Sequence, residues 1–363
     1  MKLAIIASFA ALATAVSAAS VQLDAHHHQR FLQQQPELQA ELAAWKQSDA
    51  GRYAKDNGLY VENNHESSND DELKRFYLTK VGIEQSQKNN PGAVFSVNTP
   101  FTLMTNEEFA EFVGKSYQRG RPSSRMLRAD DDVAVNVSER SLQEQDSVDW
   151  TTTGCVAPPK DQGHCGSCWA FASIGALESA YCLTHNNRLQ QFSEQQVNSC
   201  ATQAGGCNGG FPSIGLEYVR DNGGVCTETG YPYTSGKTQQ TGKCNARSCK
   251  KTPLQISVQR VDASEDGFVS AIASQPIAVG VTAGNAEWKQ YSGGVLSACS
   301  TTQLDHAVLA VGYGTDVNDN SPYFKIKNSW GSQWGEDGFI RLQRAGDDSA
   351  CGIINTDAVF PTF

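Results

Sequence analysis

All eleven cysteines of this 363-residue chain lie after residue 150. The count is odd, so ten can pair and one thiol is left over. The first residues say where pairing happens. Met1-Lys2 leads into an apolar run from Leu3 to Val16, and Val16-Ser17-Ala18 offers small residues before a cleavage point. Residues 1–18 therefore read as a signal peptide. That run is too short and Ala-rich to span a membrane, and no later segment is long and apolar enough. The expected product is a soluble protein of the secretory pathway, extracellular or lysosomal/vacuolar, where disulfides form. Its net charge of -10 argues against a nucleic-acid partner. The cysteine boundary separates an N-terminal region without cross-links from a C-terminal one rich in them.

One cysteine stands out by its surroundings. Cys168 lies where the loop Gln162-Gly163-His164-Cys165-Gly166-Ser167 gives way to the helix-compatible run from Trp169 to Tyr181. A thiol at a helix N-terminus is met by unpaired N–H groups and the positive end of the macrodipole, which favour the thiolate, the nucleophilic form. A thiolate nucleophile needs a base, and only His164, His185 and His306 follow Asp149. His164 adjoins the thiol loop with no orienting partner nearby in sequence, and His185 falls at a polar helix end. His306 opens the apolar, strand-like run to Gly314. A histidine at the start of a strand is more often structural than catalytic, so position alone does not decide. Asn328 carries an amide oxygen that would fix the tautomer of a histidine, and Trp330 would shield that bond from water.

Four motifs settle the resemblance: DQGHCGSCWAF, CNGGFP, LDHAVLAVGYG and KNSWGSQWGEDGFIR, in that order. Cys165 to Trp169 fits C-G-[SA]-C-[WY], the local signature of papain and the cathepsins. Residues 146–363 thus resemble a complete papain-like cysteine peptidase domain of the cathepsin L group. The resemblance implies an α+β, two-lobed fold, with an α-helical lobe, a β-barrel-like lobe and the active-site cleft between them. It implies Cys168 as nucleophile, His306 as base and later acid, Asn328 as its orienter, and Gln162 with the Cys168 N–H as oxyanion hole. It places Gly210 on the substrate wall, and Phe211, Pro212, Gly280, Leu304, Ala307 and Thr356 around the pocket for the residue two before the scissile bond. Asp305 and Trp330 are further substrate-binding candidates. No acid stands at Thr356, so Leu, Val or Phe is expected in that pocket and Arg is not. No long insertion blocks the leaving-group side, which favours endopeptidase activity. The resemblance also pairs Cys165 with Cys207, Cys200 with Cys244 (or Cys249), and Cys299 with Cys351. Cys155–Cys182 and Cys226–Cys249 complete the set as guesses, since spacing does not give connectivity. No cofactor and no metal are expected, the partners are protein or peptide substrates, and the chain is expected to be a monomer.

Residues 19–110 read as an inhibitory propeptide domain, the chain's own intramolecular inhibitor. Leu38 to Trp45 and Leu73 to Ile83 carry helical spacing. Phe76, Thr79, Ile83 and Gln87 keep the second half of the helical motif of cathepsin L-type propeptides, with Thr and Gln where Asn is usual. Leu103 stands where an aspartate is expected. His26-His27-His28 reads as a solvated run. Residues 111–145 have the composition of a disordered linker removed on maturation, with the sequon Asn136-Val137-Ser138 inside it. The mature start is expected between Leu142 and Ser147. In the catalytic half, Ser193 and Gln196 have capping-box spacing, a third helix is expected near Ser213 to Asp221, and residues from Gln255 onward read as strands. The rival reading is a catalytically silent, disulfide-rich secreted binding protein on the same scaffold. Cys165-Gly-Ser-Cys168 as a redox motif lacks the βαβ setting such motifs need.

Overall fold

The computed structural model describes residues 21–60, 66–114, 146–247 and 249–363. The signal peptide, the sequon and the four arginines from Arg119 to Arg128 in the linker lie outside the described residues. The N-terminal region folds as helices α1 (Ala25–Gln47), α2 (Asp49–Asp56), α3 (Glu66–Asn89) and α4 (Asn106–Gly114), with strand β1 (Ala93–Phe95) between the last two. α1 and α3 are longer than their apolar spacing indicates. α1 starts where Asp24 accepts the His27 N–H, and Ser48 both ends α1 and caps α2 through the Gly51 N–H. Phe31, Leu38, Leu42, Trp45, Leu73, Phe76, Tyr77 and Leu103 form a core of their own. Leu103, at the position expected to be acidic, is buried in that core. Thr79 donates its hydroxyl to the Thr102 carbonyl at 2.8 Å, and Gln87 donates to the Ala93 carbonyl at 2.8 Å. Both substituted positions thus tie α3 to the segment that follows it.

The first lobe of the C-terminal region gathers around α5 (Cys168–Thr184), with α6 (Glu194–Cys200), α7 (Pro212–Asp221), the one-turn α8 (Ser235–Thr238) and a two-stranded ribbon. α5 is buried on nearly every face, as a central helix must be when it is apolar all round. A side chain at Gly215 would sit 2.2 Å from the Ser173 hydroxyl, so glycine is what lets α7 cross α5 so closely. Only half of the capping box forms. Ser193 accepts the Gln196 N–H at 2.9 Å, but the Gln196 amide turns away to Tyr218 and the Cys226 N–H. The Ser193 N–H it would have served is taken by the Cys226 carbonyl.

The second lobe is a sheet. After β1 come β2 (Val148–Asp149), the ribbon strands β3 (Gly224–Cys226) and β4 (Lys251–Pro253), then β5 (Ser257–Arg260), β6 (Ile277–Val281), β7 (Tyr291–Leu296), β8 (His306–Thr315), β9 (Pro322–Lys327), β10 (Phe339–Gln343) and β11 (Val359–Thr362). The strand order is β1-β7-β10-β9-β8-β6-β11-β5, with β2 on β8. The strand reading from Gln255 onward needs correction, because α9 (Glu265–Ser274) and α10 (Ala286–Gln290) interrupt it. Ser264 caps α9 and Asn285 caps α10 through side-chain oxygens, so local cap chemistry outweighs the alternating pattern there. β8 is the shared wall. Ala307, Leu309 and Val311 face α5, while Val308, Ala310 and Tyr313 join the aromatic core of the sheet.

The N-terminal region enters that aromatic core. β1 adds to the edge at β7, and Phe95, Phe101, Phe109 and Val113 share a cluster with Trp288, Trp330 and Trp334. No helix among the described residues is long and apolar enough to cross a membrane.

Candidate active site

Cys168 is the first residue of α5, and Ser167 at its N-cap makes no side-chain cap. The Ser167 hydroxyl pairs instead with the Tyr233 hydroxyl at 2.6 Å, so the positive end of the helix is left to the thiol. Cys168 belongs to no disulfide. The other ten cysteines pair as Cys155–Cys182, Cys165–Cys207, Cys200–Cys244, Cys226–Cys249 and Cys299–Cys351.

His306 opens β8, across the lobe boundary from α5, and the next residue links the two: the Ala307 N–H donates to the Cys168 sulfur at 3.3 Å. His306 Nε2 lies 2.8 Å from Asn328 Oδ1. That oxygen also accepts the Ser329 N–H at 2.8 Å, which fixes it as an acceptor and His306 Nε2 as the protonated nitrogen. Nδ1 is then the basic atom, and it is buried without a hydrogen-bond partner among the described residues. Trp330 stacks on the imidazole with ring centroids 4.8 Å apart and covers the His306–Asn328 bond. Burial lowers the His306 pKa to about 4, against the Asn328 hydrogen bond, so the ring is neutral in this closed state. Both Cys168 and His306 are fully buried.

Gln162 is held at both ends of its amide. Its nitrogen donates to the Cys165 carbonyl at 3.0 Å and its oxygen accepts the Ser329 hydroxyl at 2.7 Å. Tyr233 donates to the Gln162 carbonyl at 2.8 Å. Ser329, Tyr233 and the Ala307 N–H were not legible from residue type, because each acts through one local contact that only the fold creates.

The substrate-side candidates also converge. Phe211, Leu304 and Ala307 belong to the apolar cluster that contains Cys168. Pro212 opens α7, Gly280 faces Ala307 across the β6–β8 ladder, and the Gly280 N–H donates to the Thr356 hydroxyl at 2.7 Å. A side chain at Gly210 would lie 2.7 Å from the Trp169 ring, so this stretch of wall must be bare backbone. Asp305 is turned to structure: its carboxylate accepts the Ala283 and Gly284 N–H groups at 2.7 and 3.0 Å, and burial raises its pKa to about 6.

The other histidines are engaged elsewhere. His164 Nε2 lies 2.7 Å from the Asn57 carbonyl, and His185 stacks on Tyr181. Behind Asn328 runs a buried ionic seam without a sequence signal. Lys160 pairs with Glu178 at 3.0 Å and Glu194 at 2.6 Å, and Lys327 closes it from the other lobe around a cavity of ≈ 20 Å³. Asp24, His26 and His27 bring ligand atoms within 4.8 Å of one another at the start of α1, with one Asp24 oxygen already capping the helix.

The N-terminal region lies over the site. Phe101 and Phe109 meet Trp330 edge-on at 5.3 and 5.6 Å, and Tyr53 donates to the Asp161 carboxylate.

Comparison with known proteins agrees with this arrangement. The family described as papain family cysteine protease matches residues 144–362. A probable cysteine protease RD21B of Arabidopsis thaliana is 34% identical over 348 residues, covering 85% of this chain and 72% of its own. Digestive cysteine proteinase 1 of Homarus americanus is 40% identical over 269 residues, covering 72% of this chain and 78% of its own. Among solved structures, the Amb a 11 cysteine protease of ragweed pollen in its proform superposes with a TM-score of 0.74 at 30% identity, covering 93% of this chain and 98% of that one. Digestive procathepsin L 3 of Tenebrio molitor larval midgut gives 0.69 at 27% identity, covering 90% and 99%. With its two-lobed α+β fold and N-terminal proregion, the chain belongs to the papain family of cysteine proteases.

Proposed function

We propose that this protein is made as an autoinhibited zymogen of the secretory pathway and cuts internal peptide bonds through a Cys168–His306 thiolate–imidazolium pair. One observation carries the reading: the sole cysteine outside the disulfides starts α5 and accepts the N–H of Ala307, the residue after a histidine whose Nε2 is anchored by Asn328. Cys168 attacks the carbonyl carbon of the scissile bond, and the oxyanion is held by the Gln162 amide and the Cys168 N–H. His306 gives its proton to the leaving amine, the C–N bond breaks and a thioester remains. Water, deprotonated by His306, then cleaves the thioester and restores the thiol.

In the closed form burial keeps His306 neutral. Removing the proregion admits water, lifts the desolvation penalty and allows the ring to hold the thiol proton. The proregion is proposed to end before Val148. The chain from there is woven into the sheet, with β2 on β8, Asp149 paired to Lys325 at 2.8 Å and the Trp150 indole bonded to the Ile272 carbonyl. Phe211, Leu304 and Ala307 pack in one apolar cluster, and with Pro212, Gly280 and Thr356 as the remaining candidates they support a preference for Leu, Val or Phe two residues before the cut. An epoxide inhibitor should label Cys168 of the processed protein once per chain and abolish its peptidase activity. Processed protein that neither takes the label nor cleaves a Leu-containing peptide would refute the hydrolase.

A further inference from the structure

Lys289 is a charged side chain that the reaction above does not use, and it is almost fully buried. It lies on α10, directly after Trp288, whose ring meets His306 edge-on at 6.2 Å and Trp330 at 6.0 Å. Its ammonium donates to the Met104 carbonyl at 2.9 Å and to Asn106 Oδ1 at 2.8 Å. Both acceptors belong to the proregion. So do the charges that act on it most strongly: Glu107 and Glu108 favour the ammonium, and Arg75 opposes it. Burial lowers its pKa to about 8.

Removing the proregion strips this cation of every hydrogen-bond acceptor it has among the described residues and returns it to water. Its position says what it then faces. The acyl half of a substrate rests against Gly210, Phe211 and Leu304 on the α5 side. The leaving half must pass the Trp330–Trp288 side, where His306 delivers its proton. The proregion shows which chemistry suits the place, since it covers Lys289 with a carbonyl, an amide oxygen and two nearby carboxylates.

We propose that Lys289 is a specificity-determining residue that selects substrates carrying Asp or Glu at one of the two positions after the scissile bond. This rests on the reading that Cys168 cleaves peptides in this cleft. The test uses processed enzyme and peptides that differ only by Glu or Gln at the first or, separately, the second position after the cut. At pH about 6 the glutamate is ionised. The wild type should favour Glu at one position by roughly threefold or more in kcat/KM, as a half-exposed ion pair permits. About 0.5 M salt should shrink that ratio. Lys289→Gln should bring it to unity, and Lys289→Arg should retain it. Each ratio is internal to one enzyme, so a change in folding or active-site content does not alter it. Equal rates for Glu and Gln at both positions in the wild type, or an unchanged ratio in Lys289→Gln, would overturn the assignment. No cleavage of any peptide would instead count against Cys168-dependent hydrolysis. In that event, anisotropy with wild-type and Lys289→Gln protein decides the matter, since the Glu peptide must bind more tightly than the Gln peptide only when Lys289 is present.

Discussion

The two lobes hold the two halves of the active site by different means. Four of the five disulfides, Cys155–Cys182, Cys165–Cys207, Cys200–Cys244 and Cys226–Cys249, lie in the lobe that carries Cys168. The lobe that carries His306 has one, Cys299–Cys351, and relies on packed rings: Trp288 stacks on Trp334 at 5.6 Å, and Trp330 meets Trp334 at 5.0 Å. The difference follows from local structure. Outside its helices the thiol lobe runs in long loops, and cross-links there restrict the unfolded chain. The imidazole lobe has a sheet face to bury. The proregion uses that difference, because it docks its phenylalanines on the ring-packed lobe and leaves the stapled one mostly to polar contacts.

The largest effects should come from the thiol itself and from the residue that anchors the imidazole. Cys168→Ser should lower kcat/KM on the order of 10⁴-fold or more while the chain still folds. Asn328→Ala should cost on the order of 10²-fold by releasing the imidazole. The signature is a loss in kcat larger than any rise in KM, measured by steady-state kinetics on the processed enzyme. A loss confined to KM would make Asn328 a substrate-binding residue.

The next effect tests the docking. Phe109 is fully buried in the ring cluster, so Phe109→Ala in the full-length chain should cost about 3–5 kcal/mol of proregion docking. It should speed maturation in a time course, whereas Arg52→Ala, at an exposed ion pair, should change it little. Equal effects would show that the Phe109 contacts do not hold the proregion in place.

The smallest effect lies at the seam between lobes. Burial raises the Glu194 pKa from 4.5 to about 7, with Lys160 opposing. The folded chain therefore binds a proton that the unfolded chain releases, and stability from this group grows as pH falls from about 7 to about 4.5. The melting temperature of Glu194→Gln minus that of the wild type should rise from pH 4.5 to 7 and level off above. A difference that does not change with pH would remove Glu194 from the titrating set.

Much of this was legible in sequence because the chemistry demands fixed residue types. Cys168, His306, Asn328 and Gln162 stand in motifs, and the geometry gathers them at one place. Helices α5 and α7 follow from a Gly-Ser loop and from Pro212 at a first helical turn. Two kinds of feature escaped. α9 and α10 hide in a region of strand-like alternation, betrayed only by Ser264 and Asn285 as caps. The Lys160–Glu178–Glu194–Lys327 seam and Lys289 escaped because a charged residue reads as solvated until its neighbours are known.

The comparison of lobes matters only if their meeting point creates a reactive thiolate. The rate of Cys168 alkylation by iodoacetamide against pH, in processed enzyme, tests this most directly. The account predicts a rate already high near pH about 5 and nearly flat to neutrality, lost in His306→Ala and absent in the unprocessed chain. A rate that rises only toward pH about 8.5, unchanged by His306→Ala, would show an ordinary thiol and contradict the account.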